Sequence, residues 1–325
     1  MRCAILYPDA ESKLSPLAYS ATYRDQMLAL TDEAQSVVCV TKDLDAVAGL
    51  DVDVIVLFDI HSSWQAKLPD LTKHPAVKYT YMNDPHQKEQ VGQRRDGTKF
   101  HKLGPQQRID RDFAAGFEYI ICPYVEGYQR HLSPYVKEAE SHWLWFPPSP
   151  RPRLSWVSLL SDRNGRMLIH GHLWQGENGF RPYEFRRRLC QEIGKLNLPI
   201  DAPVHNLDNK DVPSGSAYQK FLAQYPSAMA LCDCYAVPKY MEIPMAGCLM
   251  FYQNNADTER MGLQDGVHGI AVTPDNWMER LTKNPGADPQ AVANAGRKFM
   301  LEHYTAAHFA KAVFDHARNL KGENK

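Results

Sequence analysis

No apolar run in this 325-residue chain approaches the roughly 18 residues that a membrane-crossing helix needs. The opening Met1 to Pro8 breaks at Pro8 and Asp9, far short of a signal peptide. Charge of one sign is also missing. Lys+Arg 37 against Asp+Glu 38 leave a net charge of -1, so no global basic field draws the chain to nucleic acid, and any phosphate recognition must be local. The cysteines number seven, an odd count (Cys3, Cys39, Cys122, Cys190, Cys232, Cys234 and Cys248), scattered mostly through apolar strand-like runs. That is the usage of a reduced compartment, so a soluble, cytoplasmic protein is expected, with a peripheral membrane contact left open.

Several motifs are absent as well. There is no P-loop and no Gly-x-Ser-x-Gly, which removes support for a Walker-type nucleotidase and for a hydrolase nucleophile elbow. No Asp-x-Asp stands at the end of a strand to hold a nucleotide-bound divalent ion, since Asp51-Val52-Asp53 opens a strand instead. His170-Gly171-His172 and Cys232-Asp233-Cys234 lack the spacing of a structural zinc site, so no metal is expected. Neither an internal repeat nor a low-complexity tract appears beyond one proline-rich segment.

What is present is an α/β pattern. With 44% hydrophobic residues the chain can bury a sizeable core, and its length suits two domains. Short continuous apolar runs, the kind buried on both faces of a parallel sheet, alternate with amphipathic helical segments. In the first half the expected strands are Arg2 to Tyr7, Val37 to Val40, Val52 to Phe58, Val77 to Met82, Tyr119 to Cys122 and Trp143 to Phe146. Four prolines within residues 147–152 can neither continue a helix nor pair in a central strand. They read as a linker between an N-terminal domain, 1–150, and a C-terminal domain, 151–325.

The second series has strands near Met167 to His170, Ala228 to Cys232, Cys248 to Tyr252 and Gly269 to Val272, with helices near Tyr183 to Ile193, Tyr218 to Gln224 and Lys239 to Met245. Two tail helices follow. One is opened by Asp288-Pro289, and the other begins around Thr305 with Phe309, Val313 and Ala317 on one face.

Ligands of doubly wound sheets sit beyond the carboxyl ends of the strands. Two loops there stand out. Residues 168–180 run from a strand into a loop with three glycines, Gly171, Gly176 and Gly179, and with Trp174, for which a core position and a sugar-stacking platform are the two readings. Behind it come Arg181 and Arg186 to Arg188, whose planar forks suit a diphosphate, with a solvated helix face as the alternative. The other loop, Cys232 to Pro238 with Tyr235, delivers Lys239 into the first turn of the next helix, where a cation opposes the macrodipole unless a phosphate is bound. Glu242, three residues on, projects from nearly the same side and is placed to accept hydrogen bonds from vicinal ribose hydroxyls. A surface salt bridge between Lys239 and Glu242 is the competing reading.

Arg181-Pro182-Tyr183-Glu184-Phe185-Arg186, the run from Pro238 to Cys248, and the run from Asp257 to His268 resemble, in order and spacing, the donor-binding half of GT-B glycosyltransferases of the spore-maturation (CgeB-like) and group 1 type. The resemblance covers roughly residues 117 to 300. It implies two Rossmann-like doubly wound domains facing a cleft, a nucleotide-diphosphate sugar of UDP or GDP type held by the C-terminal domain, and sugar transfer without an obligatory metal or other cofactor. Glu242 matches the acid that binds the donor ribose, and Lys239 with Gly247 matches its setting. The candidate donor-binding set is Gly171, Trp174, Arg181, Arg186, Tyr235, Pro238, Lys239, Tyr240 and Glu242. One departure is plain: the related group has a second Glu eight residues before the first, where this chain has Cys234.

In the first half, Asp59 with His61 and Asp84 with His86 each follow a hydrophobic strand. Either pair offers a general base for an acceptor hydroxyl, because His titrates near operating pH and a carboxylate can orient it. Helix capping by Asp59 and an ordinary turn at Asp84-Pro85 are the alternatives. Residues Gln87 to Gln107 read as a long polar loop able to close over an acceptor. The expected activity is sugar transfer to a glycan, lipid-linked glycan, protein or small molecule. A nucleotide-sugar 2-epimerase of the same fold and a non-catalytic nucleotide-sugar or glycan-binding protein are the rivals.

Overall fold

The computed structural model describes residues 1–7, 21–40, 44–59, 67–83, 85–86, 88–93, 99–173, 181–202, 212–282 and 288–323; of Cys39, Val40, Asp59, Gln93, residues 99–102 and Ser216 it describes the backbone alone. The chain forms two compact units. The first is built on the N-terminal strand, Arg24–Phe146 and Ala307–Lys325, and the second on Pro147–Ala306.

In the first unit the order is β1 (Arg2–Leu6), α1 (Thr22–Glu33), β2 (Ser36–Val40), β3 (Val54–Asp59), β4 (Val77–Met82), β5 (Gln90–Gln93), β6 (Lys99–Lys102), α2 (Pro105–Ala114), β7 (Tyr119–Ile121), α3 (Val125–His131) and β8 (Trp143–Leu144). Six strands make one sheet in the order β2-β1-β3-β4-β7-β8, every pairing parallel. β4 is buried at all its positions although it contains Lys78 and Thr80. Both are satisfied: Lys78 Nζ donates to the His74 and Ala76 carbonyls, and Thr80 Oγ1 donates to Asp112 at 2.6 Å. Buried polar groups persist only on such terms. The expected polar loop from Gln87 to Gln107 contains β5 and β6, an antiparallel pair, and the opening of α2 at Pro105. It was missed because neither ribbon strand has an apolar run to announce it.

The second unit continues with β9 (Met167–Ile169), α4 (Glu184–Ile193), β10 (Ile200–Asp201), α5 (Tyr218–Leu222), β11 (Ser227–Ala230), α6 (Lys239–Met245), β12 (Leu249–Tyr252), α7 (Ala256–Met261), β13 (Ile270–Ala271), α8 (Trp277–Thr282) and α9 (Pro289–His303). Its sheet runs β10-β9-β11-β12-β13, again all parallel. Phe185, Leu189 and Ile193 form the buried stripe of α4 within the core of this unit, and Asp288 caps α9 by accepting from the Gln290 amide. The two-residue β10 had no counterpart in the sequence reading.

The last helix, α10 (Ala306–Leu320), corrects the expected division of the chain. The break falls between Phe146 and Pro147, and α10 belongs to the first unit rather than to a C-terminal domain of 151–325. Phe309, Val313 and Ala317 are fully buried there, with Phe309 edge-on to Tyr81 and Phe146. A helix shows its apolar stripe in the sequence but not which sheet the stripe will cover.

Candidate functional site

In the second sheet β9 is flanked by β10 on one side and β11 on the other. The chain leaves β9 through α4 toward β10 and then returns across β9 to β11, so the crossovers part company between β9 and β11. That is the switch point at which a parallel sheet opens a crevice. The two loops singled out in the sequence leave from these adjacent strand ends.

Gly171 lies in the first of them with φ 129°, a backbone conformation that favours glycine. A Cβ on it would sit 2.5 Å from Arg186 Nη1 and 3.3 Å from Lys239 Nζ. A guanidinium from α4 and an ammonium from α6 therefore close on one bare α-carbon. Both are buried, Arg186 at 2% and Lys239 at 5% exposure. Arg186 donates from Nη1 to the His172 carbonyl at 3.1 Å and from Nη2 to the Leu231 carbonyl, and its plane lies over the Tyr183 ring at 4.4 Å. Its Nε, also buried, has no hydrogen-bond partner among the described residues. Lys239 Nζ stands 5.7 Å from the Tyr218 ring centroid, and the His170 ring packs on the same tyrosine.

The imidazoles report the local field. His170 is pushed down to about 2 by burial first, then by Lys239, Arg186 and His172. His172 is more exposed and is also lowered, by burial and then by the same two cations. Both are neutral at physiological pH, leaving Arg186 and Lys239 as the charges of the cluster. Two buried cations side by side are an arrangement that chemically suits an oxyanion with several oxygens. The same cations, which help to lower His170 and His172, oppose a metal ion beside those imidazoles. Among the described residues no group of three His, Cys, Asp or Glu is arranged to hold one.

Glu242 lies one turn beyond Lys239 on α6 and is 4% exposed. Both members of the alternative Lys239–Glu242 pair are thus buried rather than at the surface. Of the three consecutive arginines only Arg186 turns into the cluster. Arg187 pairs with Glu184 at 2.8 Å, Arg188 approaches the same carboxylate at 3.9 Å, and Arg181 is exposed. Tyr235 is buried with its hydroxyl 3.4 Å from that of Tyr183. Pro238 accepts the Met241 and Glu242 amides at the start of α6. The hydroxyl of Tyr240 is spent on the framework, donating to the Gln253 carbonyl at 2.9 Å and to that of Cys232 at 3.5 Å.

His61, Asp84 and Trp174 lie outside the described residues. Asp59 ends β3, which with β1 brackets the switch point of the first sheet. His131 on α3 is lowered by burial first and then by the nearby His86, which follows β4. The sequence reading discounted His170 and His172 and passed over Tyr183 and Tyr218. The signal for Arg186 was available, because 186, 189, 190 and 193 share one helix face and three of them are apolar core.

No protein-family model matches the chain, and no curated protein matches it. Solved structures do. A glycosyltransferase from Rickettsia africae ESF-5 superposes with a TM-score of 0.54 at 10% identity, covering 99% of this chain and 99% of that one. AviGT4, a glycosyltransferase involved in avilamycin A biosynthesis, gives 0.52 at 13% identity over 99% and 98% of the two chains. Anabaena Alr3699/HepE in complex with UDP and glucose gives 0.52 at 9% identity over 96% and 98%. At such identities the likeness is one of fold, and the fold is GT-B: two α/β units, each on a parallel sheet.

Proposed function

We propose that this protein is a glycosyltransferase that moves a sugar from a nucleotide-diphosphate sugar to an acceptor hydroxyl. The observation that carries the reading is the convergence of buried Arg186 and Lys239 on Gly171 at the switch point, with the buried Glu242 one turn away. Diphosphate and ribose are the two polar parts common to every such donor, and these residues offer a cationic fork for the first and a carboxylate acceptor for the second. The neighbouring HepE structures with UDP and with UDP-glucose support a donor of this class.

In this reading the bond between the anomeric carbon and the diphosphate oxygen breaks, the leaving diphosphate gathers negative charge, and Arg186 and Lys239 stabilise it in a site shielded from water. The charges that a divalent ion would supply come from side chains, so transfer is metal-independent. The acceptor hydroxyl gives its proton to a base, for which Asp59, His61, Asp84 and His86 are the candidates. UDP or GDP is the expected nucleotide, a glycan, lipid-linked glycan, protein or small molecule the acceptor, polysaccharide biosynthesis the setting and the cytoplasm the location. The position of Glu242 within its motif supports the group 1, CgeB-like subtype. Among the described residues no helix is long and apolar enough to cross a membrane.

Titration of UDP, GDP, ADP and CMP-type nucleotides against the parent and Glu242→Ala tests the site. If no nucleotide binds the parent, the donor reading fails; if the variant binds as tightly, the ribose assignment fails. Product formed from donor alone would indicate an epimerase instead, and donor binding with no transfer to any acceptor a binding protein.

A further inference from the structure

The loop that carries Lys239 and Glu242 to the site has no regular hydrogen-bond ladder of its own. Residues 231–238 leave β11 and reach α6 with their backbone groups held largely by side chains from elsewhere. Arg186 takes the Leu231 carbonyl, and Asn255 Nδ2 takes that of Cys232 at 3.3 Å. The Asp233 amide donates to the Pro182 carbonyl at 2.8 Å, and the Asp233 carboxylate accepts from Gln253 Nε2 at 2.6 Å. The Ala236 amide, three residues before Lys239, donates to Asp257 Oδ2 at 2.8 Å.

Asp257 differs from the other struts. It is fully buried, on the first turn of α7, where Asn255 Oδ1 caps both its own amide and that of Thr258 at 3.1 Å. The reciprocal bond from the Asn255 amide to Thr258 Oγ1 at 2.9 Å closes a capping box. The carboxylate is thus carried on a rigid base. Burying a carboxylate is costly, and an exposed amide of a mobile loop would lose little by hydrogen bonding to water. A fully buried carboxyl whose Oδ2 accepts a loop amide is explained if the position of that loop matters.

We propose that Asp257 is a positioning residue of the nucleotide site: it grips Ala236 so that the loop presents Lys239 and Glu242 in a single geometry. The proposal rests on the donor-binding reading above. Asp257 acts through the loop and not by contact with the donor. Its grip supplies preorganisation, so that binding does not have to order the segment.

The test compares the parent with Asp257→Ala, Asp257→Asn and Asp257→Glu, by affinity for whichever of UDP, GDP or ADP the parent binds and by hydrogen exchange of residues 232–238 against the strands 227–230 and 249–252. Asp257→Ala is expected to bind at least about tenfold more weakly, with faster exchange confined to the loop. Asp257→Asn keeps an acceptor of the same reach and is expected to stay within about threefold of the parent, whereas Asp257→Glu displaces the acceptor and should follow the alanine variant. Should the alanine variant fail to fold, the glutamate variant carries the comparison. Unchanged affinity in both Ala and Glu overturns the proposal. So does loss accompanied by faster exchange in the strands, which would mark a general structural role, and so does a tenfold loss in Asp257→Asn with the loop still protected. If the parent binds no nucleotide at all, the donor reading falls first and takes this proposal with it.

Discussion

Tyr79 and His316, 237 positions apart in the chain, share a hydrogen bond of 2.8 Å between the phenol oxygen and Nδ1. The imidazole also stands edge-on to Tyr119 at 5.2 Å, so the last helix is held to the first sheet by a polar contact inside an aromatic cluster. Burial lowers the pKa of His316 and pushes that of Tyr79 well up, so the pair is neutral in the folded unit. A histidine depressed by folding favours the native state above its ordinary pKa and withdraws that support as pH falls, because the unfolded chain then binds the proton more tightly. Denaturant unfolding followed from pH 8 to pH 5 should show stability falling with acid, and His316→Gln should flatten that dependence. An unchanged slope would remove His316 from the explanation.

The apolar side of the same helix makes a simpler prediction. Phe309 is fully buried and meets Tyr81 at 5.9 Å and Phe146 at 5.8 Å. Phe309→Ala should cost about 3–5 kcal/mol by denaturant unfolding, through lost burial and the cavity left behind. A cost near zero would mean that α10 is not part of the first core.

Gly171→Ala tests the cation cluster from its centre. The added Cβ would meet Arg186 Nη1 at 2.5 Å, on a backbone whose φ of 129° alanine adopts only under strain. The strain alone is worth about 1–3 kcal/mol. The larger expected effect is loss of nucleotide binding, since the guanidinium must move away from its place against Gly171. Calorimetric titration with a nucleotide-sugar reads it directly, and binding equal to that of the parent would show that the cluster is not the diphosphate site.

His172 should report ligand charge. Burial lowers it first and the charges of Lys239 and Arg186 next, and a bound diphosphate offsets the latter two. Its pKa should rise on binding, so the protein takes up a proton and affinity increases as pH falls from 8 toward 6. A nucleotide-sugar is the suitable probe because its pyrophosphate diester does not titrate in that range. Titration in buffers of different ionisation enthalpy measures the uptake, which should vanish in His172→Gln; persistence of the uptake in that variant would assign it elsewhere.

Much of this protein was legible from residue order alone. Val77–Met82 and Lys239–Met245 have the bounds read from the sequence, and the other expected strands of both sheets recur with their ends shifted by a residue or two. Such elements declare themselves because a strand buried on both faces is a short apolar run and a covered helix repeats its apolar residues every three or four positions, both local properties. The loops at the carboxyl ends of β9 and β11 could be named for the same reason.

Assignments that depend on distant partners waited for the tertiary structure. The sequence offered three adjacent arginines, but their phase against the α4 core sends Arg186 to Gly171 and leaves Arg187 with Glu184. His170 and His172 were set aside on spacing alone, and only the fold shows Lys239 and Arg186 lowering both, because electrostatic environment is set by groups remote in the chain. Asp257 read as part of a motif, and only the fold shows its carboxylate on Ala236. The α10 stripe was visible from Phe309 onward, while its sheet was chosen by Tyr79, Tyr81 and Phe146, far earlier in the chain. Periodicity and capping are written into neighbouring residues; charge, contact and docking arise only where the chain returns on itself.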